Sequence, residues 1–314
     1  MSILFASQRD LNRAENIRAV YDAYQGEKHF VKLNLFRFSY DINYNDYELM
    51  VTDEFPAETP GKAIMINHST SGGKTFGYDQ PHPYISAREA KLLTAVTCTG
   101  EQMIGLIAHQ CRVDRSRVYA TGMPRMDALF GKSKGDGGTI LAGKRSYLYA
   151  PTYRMAGVEP KMPYIDWRYI DSQLTDDEVL AIKPHMLTGD ATIIGLEHII
   201  ALSPDEPTTP YLIDCDVLIT DYSTIMFDAH VMGKPVVLFE KDYILYQMMR
   251  GMYMEYPNGY SSRHCTNERD LIRLLKYAEG QNELDLLARY KHCSACDGHS
   301  TERTLQLIEE IRNG

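Results

Sequence analysis

Residues 216–242 read DVLITDYSTIMFDAHVMGKPVVLFEKD, and the fold is decided by how this stretch is read. Val217-Leu218-Ile219 is an unbroken apolar run, the pattern of a strand buried on both faces. Thr220-Asp221-Tyr222-Ser223-Thr224 is small and polar, a place where a helix can begin. Ile225-Met226-Phe227 and Val231-Met232 follow at helical spacing, Gly233-Lys234-Pro235 ends that helix, and Val236–Phe239 is a second buried strand. The unit is strand–helix–strand with hydroxyl residues where the helix starts. The N–H groups left unpaired there, together with the helix dipole, favour an anion, so the unit is expected to hold the phosphates of a nucleotide donor.

The same alternation runs outward on both sides. Upstream, strands are expected at Ile3–Phe5, His29–Phe36, Tyr47–Thr52, Ala63–Ile66, Leu92–Cys98 and Val118–Ala120. Helices are expected over Leu11–Tyr24, capped by Asp10, and over Glu101–Cys111. Residues 131–145, GKSKGDGGTILAGKR, are rich in Gly and Lys and read as a linker. Beyond it, strands are expected at Ser146–Ala150, Ala181–Lys183 and Ala191–Ile194. Helices are expected at Asp176–Leu180, Tyr243–Gly251, Asn267–Glu279 and Thr301–Arg312, with a turn at Tyr256–Gly259. This predicts an α/β protein of two domains with mostly parallel sheets, residues 1–130 and 146–314, the last helix free to pack back on the first domain. Ligands of such sheets bind beyond the carboxyl ends of the strands. His68, Arg125, Arg154, His185 and Ser223 all follow expected strands, so one cleft between the domains would collect them.

Bulk properties narrow the function. The chain has 314 residues, 44% hydrophobic and 24% charged, with a net charge of −9. Two domains suit that length, and an acidic balance disfavours nucleic acid as a partner. No apolar run approaches the ~20 residues of a membrane span, and the N-terminal residues lack the order of a signal peptide. A cytoplasmic protein with reduced cysteines is expected. Neither a phosphate-cradling G-x-x-x-x-G-K-[ST] loop nor a G-x-G-x-x-G element occurs, which argues against NTPases and dinucleotide enzymes.

The remaining motifs bear on proton and phosphate chemistry. His68 follows a strand and precedes Ser69–Lys74; a neutral imidazole there suits a general base, against the ordinary reading of a solvated loop. His185, in Lys183-Pro184-His185, is placed to stabilise phosphate charge, although a lone His is more often structural. Arg154, in Pro151-Thr152-Tyr153-Arg154, is of the residue type that grips phosphate by two bonds. Asp214-Cys215-Asp216 has the D-x-D form of a metal pair but reads as structural acids. The run 292–299, HCSACDGH, is too compact for a structural zinc site. No metal and no cofactor are expected.

Taken in order, these motifs resemble the CDP-glycerol glycerophosphotransferase family, the teichoic-acid primases and polymerases. The resemblance is carried by His68 with Lys74, by Gly122-Met123-Pro124-Arg125-Met126-Asp127, by Ala150–Arg154 and by Lys183–His185. It continues through Asp216–Asp228, Lys234-Pro235, Asp242, Tyr246, Arg250-Gly251, Tyr253, Asp297-Gly298 and Arg303. Thr224 stands where the family has a second Ser, and Ser69 where it has Gly. The resemblance implies a GT-B-like fold of two Rossmann-like domains facing a cleft. It implies transfer of glycerol phosphate from CDP-glycerol to a hydroxyl of a polyol-phosphate or glycan acceptor, with release of CMP. His68 and His185 would be catalytic, and Arg154, Asp221, Ser223 and Thr224 would bind the donor. Lys74, Arg125 and Arg250 would orient acceptor or phosphate. The family's acceptors are lipid-linked, which implies peripheral contact with the inner membrane face. CDP-ribitol or a nucleotide sugar is the alternative donor, and a non-catalytic binding module the third reading.

Overall fold

The computed structural model describes residues 2–34, 36–37, 39–67, 87–154, 163–185, 188, 195–252 and 256–314. The chain forms two compact units, residues 1–130 with 290–314, and residues 131–289.

The first unit is built on strands β1 (Ser2–Ser7), β2 (Lys28–Lys32), β3 (Tyr47–Thr52), β4 (Ala63–Met65), β5 (Ala95–Thr97) and β6 (Val118–Tyr119). They lie in the order β2-β1-β3-β4-β5-β6, every pair parallel. Successive side chains of a strand point to opposite faces. Leu4 and Ala6 therefore join Met50, Met65, Val96 and Ile107 in one core layer, while Ile3 and Phe5 join Leu49, Val51, Ile64 and Ile66 in the other. Helix α1 (Glu15–Ala23) covers the second layer with Ile17 and Val20. Helices α2 (Ala87–Leu92) and α3 (Ile104–Cys111) complete the upstream part.

The second unit repeats the plan with β7 (Arg145–Tyr149), β8 (Glu178–Ile182), β9 (Ile199–Ala201), β10 (Val217–Thr220), β11 (Val236–Phe239) and β12 (His264–Cys265). The order is β12-β11-β10-β7-β8-β9, again parallel throughout. Helices α4 (Trp167–Asp171), α5 (Thr209–Asp214), α6 (Ile225–Val231) and α7 (Tyr243–Arg250) lie between these strands in the chain, and α8 (Glu268–Lys276) follows β12. Helix α9 (Glu283–Cys293) carries the chain back to the first unit, and α10 (Ser300–Asn313) ends it. Leu307 and Ile308 of α10 complete the core layer of α1.

One expectation is corrected. Asp176–Leu180 is not helical: Glu178–Ile182 is a strand, its last four residues buried and registered on β7 with Tyr147 opposite Leu180. A short apolar run carries no period long enough to separate helix from strand. Residues 131–145, the expected linker, fall in the second unit. Asp214 accepts from the backbone N–H of Gly135, Gly137 and Thr139 at 2.8, 3.0 and 2.7 Å and from the Thr139 hydroxyl, while Asp216 takes Lys134 Nζ at 2.6 Å. Residues 290–314, which include the last helix that was free to pack back on the first domain, fall in the first unit. The strand expected at 191–194 lies outside the described residues, and β9 begins just beyond it.

Candidate active site on the second unit

Strands β7 and β10 lie side by side, with Val217, Leu218 and Ile219 opposite Tyr147, Leu148 and Tyr149. From β7 the chain proceeds to β8 on one side, and from β10 to β11 on the other. This divergence leaves a crevice at the carboxyl ends of the two strands, where open α/β sheets bind ligands. Two segments line it: Ala150–Arg154 after β7 and Asp221–Thr224 after β10.

Hydrogen bonds weld these segments together. Thr220 Oγ1 donates to the Ala150 carbonyl at 2.6 Å. Asp221 Oδ1 accepts from the backbone N–H of Thr152 at 2.7 Å and of Tyr222 at 2.6 Å, and Oδ2 accepts from Arg154 Nη1 at 3.0 Å. Arg154 also donates from Nε and Nη2 to the two oxygens of Asp242 at 2.7 and 2.8 Å, and from Nη1 to the Thr152 carbonyl at 2.6 Å. Its side chain is 4% exposed. Burial works against the guanidinium charge, but Asp221 and Asp242 outweigh it and raise the Arg154 pKa above its ordinary value. Removing either kind of partner would strand a buried charge.

An aromatic wall backs this triad. Tyr222 stacks on Tyr246 of α7 with centroids 4.0 Å apart, and its hydroxyl donates to Asp242 Oδ1 at 3.0 Å. The Arg154 guanidinium carbon lies 5.3 Å from the Tyr222 ring and 5.0 Å from that of Tyr246, within cation–π range. Burial, with Asp242 and Asp221 adding to it, raises the Tyr222 pKa, so the phenol stays protonated. Ser223 and Thr224 stand half-buried at the start of α6, where the Ile225 N–H reaches only Ser223 Oγ, at 3.5 Å.

His185 follows β8, the neighbour of β7, and its ring lies 4.8 Å from that of Tyr153. Lys183 is spent locally, donating to the carbonyls of Pro184 and Pro204 at 3.1 and 3.0 Å. Arg250 closes α7, the helix that Tyr246 anchors to the triad. Thus Arg154 and Asp221 are bonded directly, Ser223 and Thr224 continue the same loop, and His185 meets the loop of Arg154 through Tyr153.

Arg125 is built differently. Its backbone N–H donates to Asn16 Oδ1 at 3.0 Å, and its guanidinium lies 4.0 Å from Glu15. The rest of its motif docks the C-terminal segment. Asp127 caps α10, accepting from Ser300 N at 3.0 Å and Thr301 N at 2.7 Å. Gly122 has φ +87°, and a Cβ there would stand 2.3 Å from Ala295 O and from Ser300 Oγ. Arg303 donates to Asp297 Oδ1 at 2.7 Å and to Thr121 O at 3.0 Å. His68 and Lys74 lie outside the described residues. Of the compact His–Cys run, Cys293 and Cys296 are buried thiols, and Asp297 and His299 are taken by Arg303 and Glu302.

Sequence reasoning assigned no role to Asp242, Tyr222 or Tyr246. Asp242 and Tyr246 were marked only as parts of a matching pattern, although an acid placed right after a buried strand was a legible signal.

Comparison with known proteins places this arrangement. The family model of CDP-Glycerol:Poly(glycerophosphate) glycerophosphotransferase matches residues 27–310. The chain belongs to this glycerophosphotransferase family. It is thereby an enzyme, a transferase of the teichoic-acid type. It is 23% identical to the teichoic acid glycerol-phosphate primase of Bacillus subtilis, over 90% of this chain and 77% of the primase. It is 24% identical to the ribitol-phosphate polymerase TarL of Staphylococcus aureus, over 95% of this chain and 57% of that protein. The chain thus spans little more than half the length of that polymerase. Among solved structures, the wall teichoic acid polymerase TagF superposes with a TM-score of 0.78 at 20% identity, covering 99% of this chain and 89% of that one. The S. aureus MnaA–UDP structure follows at 0.61 and 14%, covering 100% of this chain and 97% of that one. These likenesses establish the GT-B-like fold of the glycerophosphotransferase family.

Among the described residues no helix is long and apolar enough to cross a membrane.

Proposed function

We propose that this chain transfers glycerol phosphate from CDP-glycerol to a hydroxyl of a polyol-phosphate or glycan acceptor, releasing CMP. The observation that supports it most is the welded loop pair at the crevice of the second unit, Ala150–Arg154 and Asp221–Thr224, in a chain of this family. In this reading His68 takes the proton of the acceptor hydroxyl as its oxygen bonds to the β-phosphorus, and the bond to the CMP oxygen breaks. Such a reaction needs fixed dipoles and charges around the transferred group. Ser223 and Thr224 receive the donor phosphates, and His185 and Arg250 supply positive partners. Every nitrogen of Arg154 is already engaged, so its part is to hold Asp221 and the loop in shape rather than to grip phosphate. Lys74 and Arg125 orient the acceptor side. The acceptor is lipid-linked, and the protein works at the cytoplasmic face of the membrane.

CDP-ribitol is the second reading, because TarL, a ribitol-phosphate polymerase, is as similar to this chain as the glycerol-phosphate primase. Incubation with CDP-glycerol, CDP-ribitol and UDP-sugars plus a glycerol-phosphate acceptor separates the readings. CMP release with CDP-glycerol is expected, and His68→Ala should slow it by about 10²–10⁴. Absence of nucleotide release from every donor would overturn the proposal.

A further inference from the structure

Strand order gives the first unit a crevice of its own. From β1 the chain proceeds to β2 on one side, and from β3 to β4 on the other. The carboxyl ends of β1 and β3 therefore diverge as those of β7 and β10 do, the arrangement in which open α/β sheets take ligands. Gln8 and Arg9 leave β1, and Asp53 and Glu54 leave β3. Hydrogen bonds fix both segments. The Ser7 carbonyl accepts from Leu33 N at 2.7 Å, Ser7 Oγ from Arg9 N at 3.0 Å, and Thr52 Oγ1 from Glu54 N at 3.1 Å, while Gln8 Nε2 donates to the Asn34 carbonyl at 2.9 Å.

Arg9 leans from one segment to the other. Its Nη1 lies 3.7 Å from Asp53 Oδ2, close enough for an ion pair and too far for a hydrogen bond. Among the described residues no hydrogen bond engages its guanidinium, and its side chain is 43% exposed beside an Asp53 side chain that is 2% exposed. The other cations along this edge are paired: Lys32, which ends β2, with Asp10 at 2.9 Å, and Arg37 with Glu89. Arg154 and Arg9 thus stand at equivalent places, each leaving a strand and meeting an acid that follows the neighbouring strand. Arg154 is buried with every nitrogen engaged, whereas Arg9 keeps its planar fork open.

We propose that Arg9 binds the acceptor: its guanidinium grips a phosphate of the polyol-phosphate chain by two hydrogen bonds in the crevice between β1 and β3, and the buried Asp53 sets its direction. A guanidinium matches phosphate through just such a fork. Asp53 holds Arg9 by charge and not by a hydrogen bond, so the fork turns onto a ligand without losing its anchor. Glu54, half-buried next to Asp53, does not cancel the site near neutral pH, because burial, followed by the charge of Asp53, pushes its pKa up to about 7.

This rests on the reading of the acceptor as a polyol phosphate, and its first test needs no turnover. Calorimetric titration of the native protein with a glycerol-phosphate oligomer should show saturable binding that free glycerol does not give. Arg9→Gln should weaken that binding about 10–100-fold, the worth of hydrogen bonds to a charged group. Arg9→Lys keeps a cation beside Asp53 and should weaken it less, since an ammonium lacks the fork. CDP should bind all three proteins equally. In turnover with CDP-glycerol, Arg9→Gln should raise acceptor KM by the same factor as it weakens oligomer binding and leave donor KM unchanged. Equal oligomer binding by the native protein and both variants, no oligomer binding by the native protein, or loss of CDP binding in Arg9→Gln would overturn the inference. A donor KM that rises with the acceptor KM would do so too, since a general loosening of the fold moves both. Arg9-dependent oligomer binding with no nucleotide release from any donor would uphold the phosphate site and overturn the assigned reaction.

Discussion

At Arg154, every nitrogen of the guanidinium meets an acceptor: Nε and Nη2 on Asp242, and Nη1 on Asp221 and the Thr152 carbonyl. Two carboxylates around one cation leave the group net negative, and in the proposed reading its worth lies in geometry rather than in attraction for phosphate. Arg154→Ala strands Asp221, which is 1% exposed, beside Asp242. Breaking a buried pair from one side costs about 3–5 kcal/mol, and urea unfolding of the variant should show a loss of that size together with a fall in donor kcat/KM. Arg154→Lys keeps the charge but not the planar fork, since an ammonium cannot span both oxygens of Asp242 and still reach Asp221. It should recover part of the stability and little of the donor turnover.

At the scale of elements, the helix α10 shows how a motif that looks like chemistry serves packing. Its first N–H groups have no partner within the helix, and Asp127 supplies acceptors to two of them. Asp127→Ala should cost about 1–2 kcal/mol, seen as a lower urea midpoint and faster amide exchange over the first turn of α10. The D-C-D element works in the same way on residues 131–145. Burial acts against the Asp214 carboxylate, yet the Thr139, Gly135 and Gly137 N–H groups and the Thr139 hydroxyl hold its pKa below the usual range. A carboxylate so stabilised is a structural anchor, and the Gly-rich segment folds around it.

At the scale of the whole chain, the first unit is assembled from both ends of the sequence. Leu307 and Ile308 lie in one core layer with Ile17, Val20, Phe5 and Val51. Each such side chain contributes about 1.5–3 kcal/mol on burial, a large share of a domain's stability of roughly 5–15 kcal/mol. A chain ending at Arg289 should therefore lose amide protection in β1 and β3, while β7 and β10 retain theirs. Hydrogen exchange followed by mass spectrometry checks this directly.

The sequence alone determined the β10–α6–β11 unit, the two parallel α/β sheets and the family, because these rest on local period and on the order of motifs. Val217–Ile219 and Val236–Phe239 are apolar without interruption, and only a covered parallel strand tolerates that. It also placed Arg154, Asp221, Ser223, Thr224 and His185 after strands, where a site forms. Period fails for short segments, which is why Glu178–Ile182 was misread. Pairing across distance fails as well: Arg154 and Asp242 stand 88 residues apart, and nothing local says that they meet. The tertiary structure decided that Arg154 is enclosed by carboxylates and that Asp127 and Asp214 are anchors. Each of these is a matter of burial and of which groups share that burial, and burial is a property of the folded chain.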